Sequence, residues 1–260
     1  MSHQRLRQDI AQALDATPEL LPLVPELLAD IWALGSSPER IVDLLRPLKL
    51  SSQSTRVLDL GCGKGAVALR LAEELGFHVY GIDGFLPFIT EAKARADALG
   101  VAGRCHFAVA DLRDILVRSR SFDVVIYAAV GNVLGDFRRC VEQLRQTVRA
   151  GGYMVIDDGF LAEDRKLERQ GYEHYVVHEQ TLEQLTAHGD NLIREVITPS
   201  REMKAYNRRN TELIRRRAQA LARRHPEAAD SLRWYVAQQE QESESLETAV
   251  TGAIWLLRRT

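Results

Sequence analysis

One stretch, Val57-Leu58-Asp59-Leu60-Gly61-Cys62-Gly63-Lys64-Gly65-Ala66, limits the fold more than any other part of the chain. Three apolar residues interleaved with one acid read as a buried strand. The glycines that follow force a tight turn, and the apolar spacing from Ala66 to Leu75 predicts a helix. A backbone without Cβ turns sharply and lets a ligand approach closely. The N–H groups at the start of the next helix favour an anionic ligand group. Strand, glycine turn and helix together make a cradle for a nucleotide-type cofactor.

The glycines alone leave the cofactor open. Gly61, Gly63 and Ala66 satisfy the dinucleotide fingerprint G-x-G-x-x-G/A, and Asp83 follows at the usual distance of about 20 residues. Asp59 breaks the tie, because it sits where a plain dinucleotide site would carry another apolar residue. A buried carboxylate is costly unless paired or hydrogen-bonded, so Asp59 demands a partner at the turn. The amino end of a methionine-like ligand would serve, as would the turn amides. On these residues the chain resembles the class I S-adenosylmethionine-dependent methyltransferases, whose first motif is an acid followed by G-x-G-x-G. The match falls at Asp59, Gly61, Gly63 and Gly65.

From Arg56 onward, strands alternate with helical patterns, at 56–60, 77–82, 104–109, 122–128 and 152–157. Alternation predicts an α/β fold with a parallel sheet and helices on both faces. Gly151-Gly152 is expected to close a helix from Val133 to Arg149 and turn the chain into the fifth strand. Ahead of the sheet, residues 3–50 read as short helices. Ser37 is a cap and Pro38 opens a helix that carries Ile41, Leu44 and Leu45 on one face.

Ligands in such sheets sit beyond the carboxyl ends of the strands, so the residues there are the candidates. The resemblance gives them roles. Asp83, followed by Gly84 and Phe85, would accept the ribose hydroxyls, with Phe85 and Leu86 as an apolar wall to the adenine. Asp111 and the backbone of Leu112 would take the adenine edge. The backbone around Cys62, with Ala128 after the fourth strand, completes the cofactor set. Asp83 and Asp111 read equally as helix caps.

Asn132 is a candidate to position a polar acceptor, or else a cap for the helix after it. Asp158 is a candidate base or substrate anchor, or else a solvated turn residue. No metal site is expected, because Tyr127 and Ala128 stand where magnesium-dependent catechol-type enzymes carry an acid.

In the C-terminal third, the pattern predicts a helix at 181–188 and a strand at 191–198. A basic helix follows at 201–224, then an acid-rich helical segment at 226–247 and an apolar strand at 249–258. The resemblance implies a Rossmann-like, seven-stranded, mostly parallel sheet with an antiparallel last strand. It divides the chain into an N-terminal helical extension (1–50), a cofactor-binding core (51–200), a helical insert acting as substrate cap (201–247) and a final strand (248–260). Tyr206, on the insert, is a third candidate for acting on the acceptor. The arginines of the basic helix are expected to be balanced by the acidic segment beside it or simply solvated.

The formal net charge of -2 over 260 residues gives no general attraction to nucleic acid or a membrane surface. The three widely spaced cysteines form no disulfide framework and suggest a reducing compartment. With no apolar leader at the N-terminus, a cytoplasmic chain is expected, as monomer or homodimer. The function implied is methyl transfer from S-adenosylmethionine to a small molecule. The alternatives are an NAD-dependent oxidoreductase, an RNA or protein methyltransferase, and a non-catalytic partner subunit.

Overall fold

The computed structural model describes residues 3–116, 122–164, 167 and 171–260. Met1 and Ser2 of the expected extension lie outside the described residues, as do 117–121, 165, 166 and 168–170 of the expected core. In chain order the helices are α1 (His3–Ala13), α2 (Val24–Leu27), α3 (Pro38–Leu45), α4 (Ala66–Leu75), α5 (Leu86–Ala98), α6 (Leu112–Leu116), α7 (Phe137–Leu144), α8 (His178–Thr186), α9 (Ser200–Arg224) and α10 (Ala229–Ala249). The strands are β1 (Arg56–Leu60), β2 (His78–Asp83), β3 (Cys105–Val109), β4 (Phe122–Ala128), β5 (Val148–Leu161), β6 (Asn191–Ile197) and β7 (Val250–Arg258). Two compact units result: Met1–Trp32 with Thr198–Gly252, and Ala33–Ile197 with Ala253–Thr260.

The second unit is built on the sheet. Among the described residues, seven strands run in the order β3-β2-β1-β4-β5-β7-β6, parallel from β3 to β5, with β7 antiparallel to β6. The central strands are apolar on both sides because helices cover both faces. Val57, Leu58, Leu60, Val124, Val125, Ile126, Val155 and Ile156 are all buried. One face packs Leu58, Leu60 and Tyr127 with Phe137 and Val141 of α7 and with Phe160 and Trp255. Before the sheet, α3 starts as its sequence predicts, with Ser37 at the cap position and Pro38 in the first turn, although the Ser37 side chain makes no capping bond. Ile41, Leu44 and Leu45 are buried.

Two sequence expectations fail here. The helix expected from Val133 to Arg149 is a 3-10 turn at Gly131–Leu134 followed by the shorter α7. Gly135, at φ +88°, breaks the run. Asp136 then restarts it by accepting the Arg139 N–H at 2.9 Å. Gly151 and Gly152 do not end a helix. They lie inside β5, where the register against β4 shifts between Phe122 and Val124. A Cβ on Gly152 would stand 2.8 Å from a Val148 methyl and 2.9 Å from the Asp123 carbonyl oxygen, so only glycine fits the bulge. In addition, α8 begins three residues before the predicted Thr181.

The first unit is helical. On α9 the buried residues are Ile214, Ala218 and Leu221; the sequence spacing puts Leu221 on one face with Tyr206, Asn210 and Leu213, and of those four only Leu221 is buried. The arginines of α9 are balanced from two sides. Arg215 pairs with Glu240 of α10 at 2.6 Å, while Arg217 and Arg224 pair with Asp30 and Glu26 of the N-terminal segment. No helix among the described residues is long and apolar enough to cross a membrane.

Candidate functional site

The glycine turn after β1 is fastened to β2 by its own backbone. The Gly61 and Cys62 N–H groups both donate to the Ile82 carbonyl, at 2.8 and 3.0 Å. Gly61, Gly63 and Gly65 take φ values of +71°, +52° and +76°, which side-chain-bearing residues adopt at a cost. A Cβ on Gly61 would lie 2.6 Å from a Val130 methyl, so the loop after β4 rests directly on the turn. The Cys62 side chain is buried toward Gly81, so Cys62 offers the site its backbone.

Asp59 is buried at 3% exposure inside β1. The Ala68 backbone N–H favours its charged form, and its Oδ2 has no hydrogen-bond partner among the described residues. Burial, then the neighbouring Asp83 charge, pushes its carboxyl up to about 7. One oxygen of the carboxylate that the sequence places before the turn is therefore without a hydrogen-bond partner among the described residues.

Asp83, at the end of β2, accepts the Gly63 N–H at 2.9 Å on Oδ2 and the Phe85 N–H at 2.8 Å on Oδ1. Burial raises its carboxyl above the usual range, against the pull of those two amides. Each oxygen keeps one lone pair for a ligand hydroxyl. Gly84 and Phe85 continue into α5, where Phe85 packs edge-on to buried Phe88 and Leu86 is exposed. Asp111 is more committed. Arg113 reaches its Oδ1 through backbone N–H and Nε, both at 2.9 Å, and its Oδ2 through a terminal nitrogen at 2.7 Å. Burial works to raise the Asp111 carboxyl, but those bonds hold it below the usual range. It caps the helix that Leu112 opens.

Ala128 ends β4, paired in register with Asp157. The next residue, Ala129, is left-handed at φ +54°, a costly conformation for a residue with a Cβ. A Cβ on Gly35 would lie 2.7 Å from the Ala129 methyl, and one on Gly63 would lie 3.4 Å from Leu34. The segment before α3 therefore reaches both the glycine turn and the loop after β4. Asp157 extends that link: burial and adjacent Asp158 raise it to about 7, while the Ser37 backbone N–H and Arg40 oppose the shift.

The acceptor candidates fare differently. Asn132 caps nothing: it lies inside the 3-10 turn and donates to Glu173 at 3.0 Å. Asp158 is not a solvated turn residue. β5 continues past it to Leu161, and its side chain is 8% exposed between two partners, the His174 Nε2 at 3.1 Å and the Tyr175 hydroxyl at 2.6 Å. Tyr206 is a partly buried residue of α9, in the helical unit. Sequence reasoning missed His174, because no motif surrounds it and the loop that carries it is folded back onto β5. It also missed Lys64, whose side chain is fully buried with its ammonium 3.2 Å from Glu91 and 5.7 Å over the Phe88 ring. A lysine inside a glycine turn was the available signal.

Residues 51–221 match the model of a family described as a methyltransferase domain. The uncharacterized protein YjhP of Escherichia coli (strain K12) is 33% identical over 122 residues, 47% of this chain and 48% of that protein. A 2-methyl-6-phytyl-1,4-hydroquinone methyltransferase of Synechocystis is 32% identical over 125 residues, 48% of this chain and 38% of that protein. The matched part spans about half the length of these curated relatives, or less. In fold, the chain is similar to a SAM-dependent methyltransferase from Geobacter sulfurreducens solved with S-adenosyl-L-homocysteine. The TM-score is 0.78 at 20% identity, over 92% of this chain and 98% of that one.

Proposed function

The chain belongs to the methyltransferase-domain family, and from that premise we propose that it transfers a methyl group from S-adenosylmethionine to a small-molecule acceptor. The observation that carries the proposal is the unpartnered Asp59 oxygen, buried next to three positive-φ glycines. The ammonium of a methionine-like ligand would supply the donor it lacks. The Synechocystis relative, named for methyl transfer to a hydroquinone, supports a small acceptor.

In this reading Asp59 would hold the amino group and Asp83 the two ribose hydroxyls. Asp111 and the Leu112 backbone would take the adenine edge, beside Phe85. Gly61, Cys62, Gly63, Gly65, Gly84 and Ala128 would line the ligand with backbone. When bound, S-adenosylmethionine supplies a methyl carbon made electrophilic by its positively charged sulfur. The chain's own residues contribute alignment and exclusion of water. An arriving ammonium also draws the proton off Asp59, because a positive neighbour stabilises the carboxylate. Tyr206 belongs in this reading only if Tyr206→Phe slows transfer without changing cofactor affinity.

Calorimetry with S-adenosylhomocysteine tests the reading directly. Binding is expected for the wild-type chain, and Asp83→Ala should weaken it by about 1–3 kcal/mol, the scale of lost hydrogen bonds to a charged group. A thermal melt in which NAD raises the midpoint and S-adenosylhomocysteine does not would overturn it.

A further inference from the structure

We propose that His174 is the base that removes the acceptor's proton and that Asp158 is its positioning residue, which makes the acceptor a phenol-type hydroxyl compound. The inference rests on the methyl-transfer reading above and deepens it.

The geometry fixes the chemistry of the ring. His174 Nε2 stands 3.1 Å from Asp158 Oδ2. A carboxylate accepts, so Nε2 carries a proton, and in the neutral ring Nδ1 keeps a bare lone pair. The other Asp158 oxygen takes the Tyr175 hydroxyl at 2.6 Å, which locks the carboxylate in place. Nδ1 is buried and has no hydrogen-bond partner among the described residues, in a side chain 4% exposed. A histidine held only to fill space would have both nitrogens satisfied or one in water. Here an oriented acceptor lone pair waits for a donor.

Asp158 lies near the strand ends, its side chain on the sheet face opposite that of Asp157. Asp157 is in register with Ala128 at the end of β4, and Tyr127 is in register with Leu60, where β1 gives way to the glycine turn. Asp158 therefore stands at the same sheet end as the turn, two strands away, or about 10 Å at the usual strand spacing. Asn132 of the loop after β4 donates to Glu173, the residue before the histidine, so the two loops at this end are joined beside the ring.

The surroundings choose the acceptor. Phe137 meets the imidazole edge-on at 5.5 Å and Tyr175 lies at 4.3 Å, an aromatic setting suited to a planar ring. An aromatic amine reacts through a lone pair it already has in neutral water, whereas a phenol must lose its proton as the bond forms. In the step, the O–H proton passes to Nδ1 and the oxygen's electron pair forms the bond to the methyl carbon. The methyl–sulfur pair stays on sulfur, and the histidinium returns its proton to water.

The test uses the full chain with methyl-labelled S-adenosylmethionine. The acceptors are phenol, catechol, hydroquinone, 4-nitrophenol and, for contrast, aniline. The wild type is expected to label the phenols and not the amine. His174→Asn and His174→Gln should lose about 100-fold or more toward phenol, the scale of general-base catalysis. They should lose much less toward 4-nitrophenol, which is already largely ionised in mildly alkaline buffer. S-adenosylhomocysteine affinity should stay within about twofold, which separates this proposal from the cofactor reading. Nitrogen-15 NMR of the wild-type imidazole, independent of any variant's folding, should show the proton on Nε2, and Asp158→Asn should disturb that tautomer. Equal loss toward all phenols, unimpaired variants, labelling of the amine alone, no labelling of any phenol by the wild type, or a proton on Nδ1 would each overturn the proposal. Loss of S-adenosylhomocysteine binding in the wild type would overturn the reading beneath it.

Discussion

Asp59 carries opposing demands. With one oxygen unpartnered it weakens the ligand-free fold, yet that same oxygen is the feature that would select a cation. Asp59→Asn keeps a polar group at the site but cannot ionise, so it is expected to raise the stability of the ligand-free protein at neutral and higher pH, where the unfolded carboxyl is charged and the buried one resists charging. The same change should weaken S-adenosylhomocysteine binding; denaturant melts and calorimetry on one preparation check both. Lys64 makes the converse case. Its buried ammonium faces Glu91, so Lys64→Met, of similar volume, should leave stability within about 1 kcal/mol. Glu91→Gln, which takes the counter-charge from a buried cation, should cost more, and paired urea titrations would show the order. Asp59 was legible from the sequence because an acid in an apolar strand is conspicuous. His174 was not, because what makes it conspicuous is a missing partner, and only folding brings it to Asp158.

Strand and helix starts were legible where local chemistry decides them, as at Pro38 and at the glycine turn. They were not legible where a distant strand decides. The run from Val133 to Arg149 has helical spacing, but pairing with β4 pulls its last residues into β5 and lets Gly151-Gly152 absorb the misfit as a bulge. Gly152→Ala should accordingly destabilise the protein by about 1–3 kcal/mol, the cost of forcing atoms into a filled space. A stability change below a few tenths of that in chemical denaturation would remove the close contact with the Asp123 carbonyl as the reason for glycine there. The ion pairs along α9 carry no such weight. Their side chains are 38–56% exposed, so each contributes little.

Across the molecule, two buried acids set an unusual pH dependence. Asp59 and Asp157 keep their protons up to about 7, whereas the unfolded chain releases its own near 4. Between those values the folded state binds more protons, so these groups make stability fall as pH rises, with no further change above the folded values. The melting temperature of the ligand-free protein is expected to drop between about pH 5 and about pH 8, and Asp59→Asn should remove part of the drop. A midpoint that climbs over this range would mean that neither acid is held protonated. The alternation of strands and helices, and the order of the last elements, were readable because each repeats a simple period. The grouping of Met1–Trp32 with Thr198–Gly252 was not, since nothing local marks segments that meet from far apart in the chain.

The strand order also sets a schedule for synthesis. β7 is made after β6 and after the long helices between them, yet it lies between β5 and β6. A nascent chain on the ribosome thus carries β6 as an orphan and β5 as an open rim until β7 emerges to join them. During that interval the half-built sheet is the form most exposed to chaperones and to stray pairing with other chains.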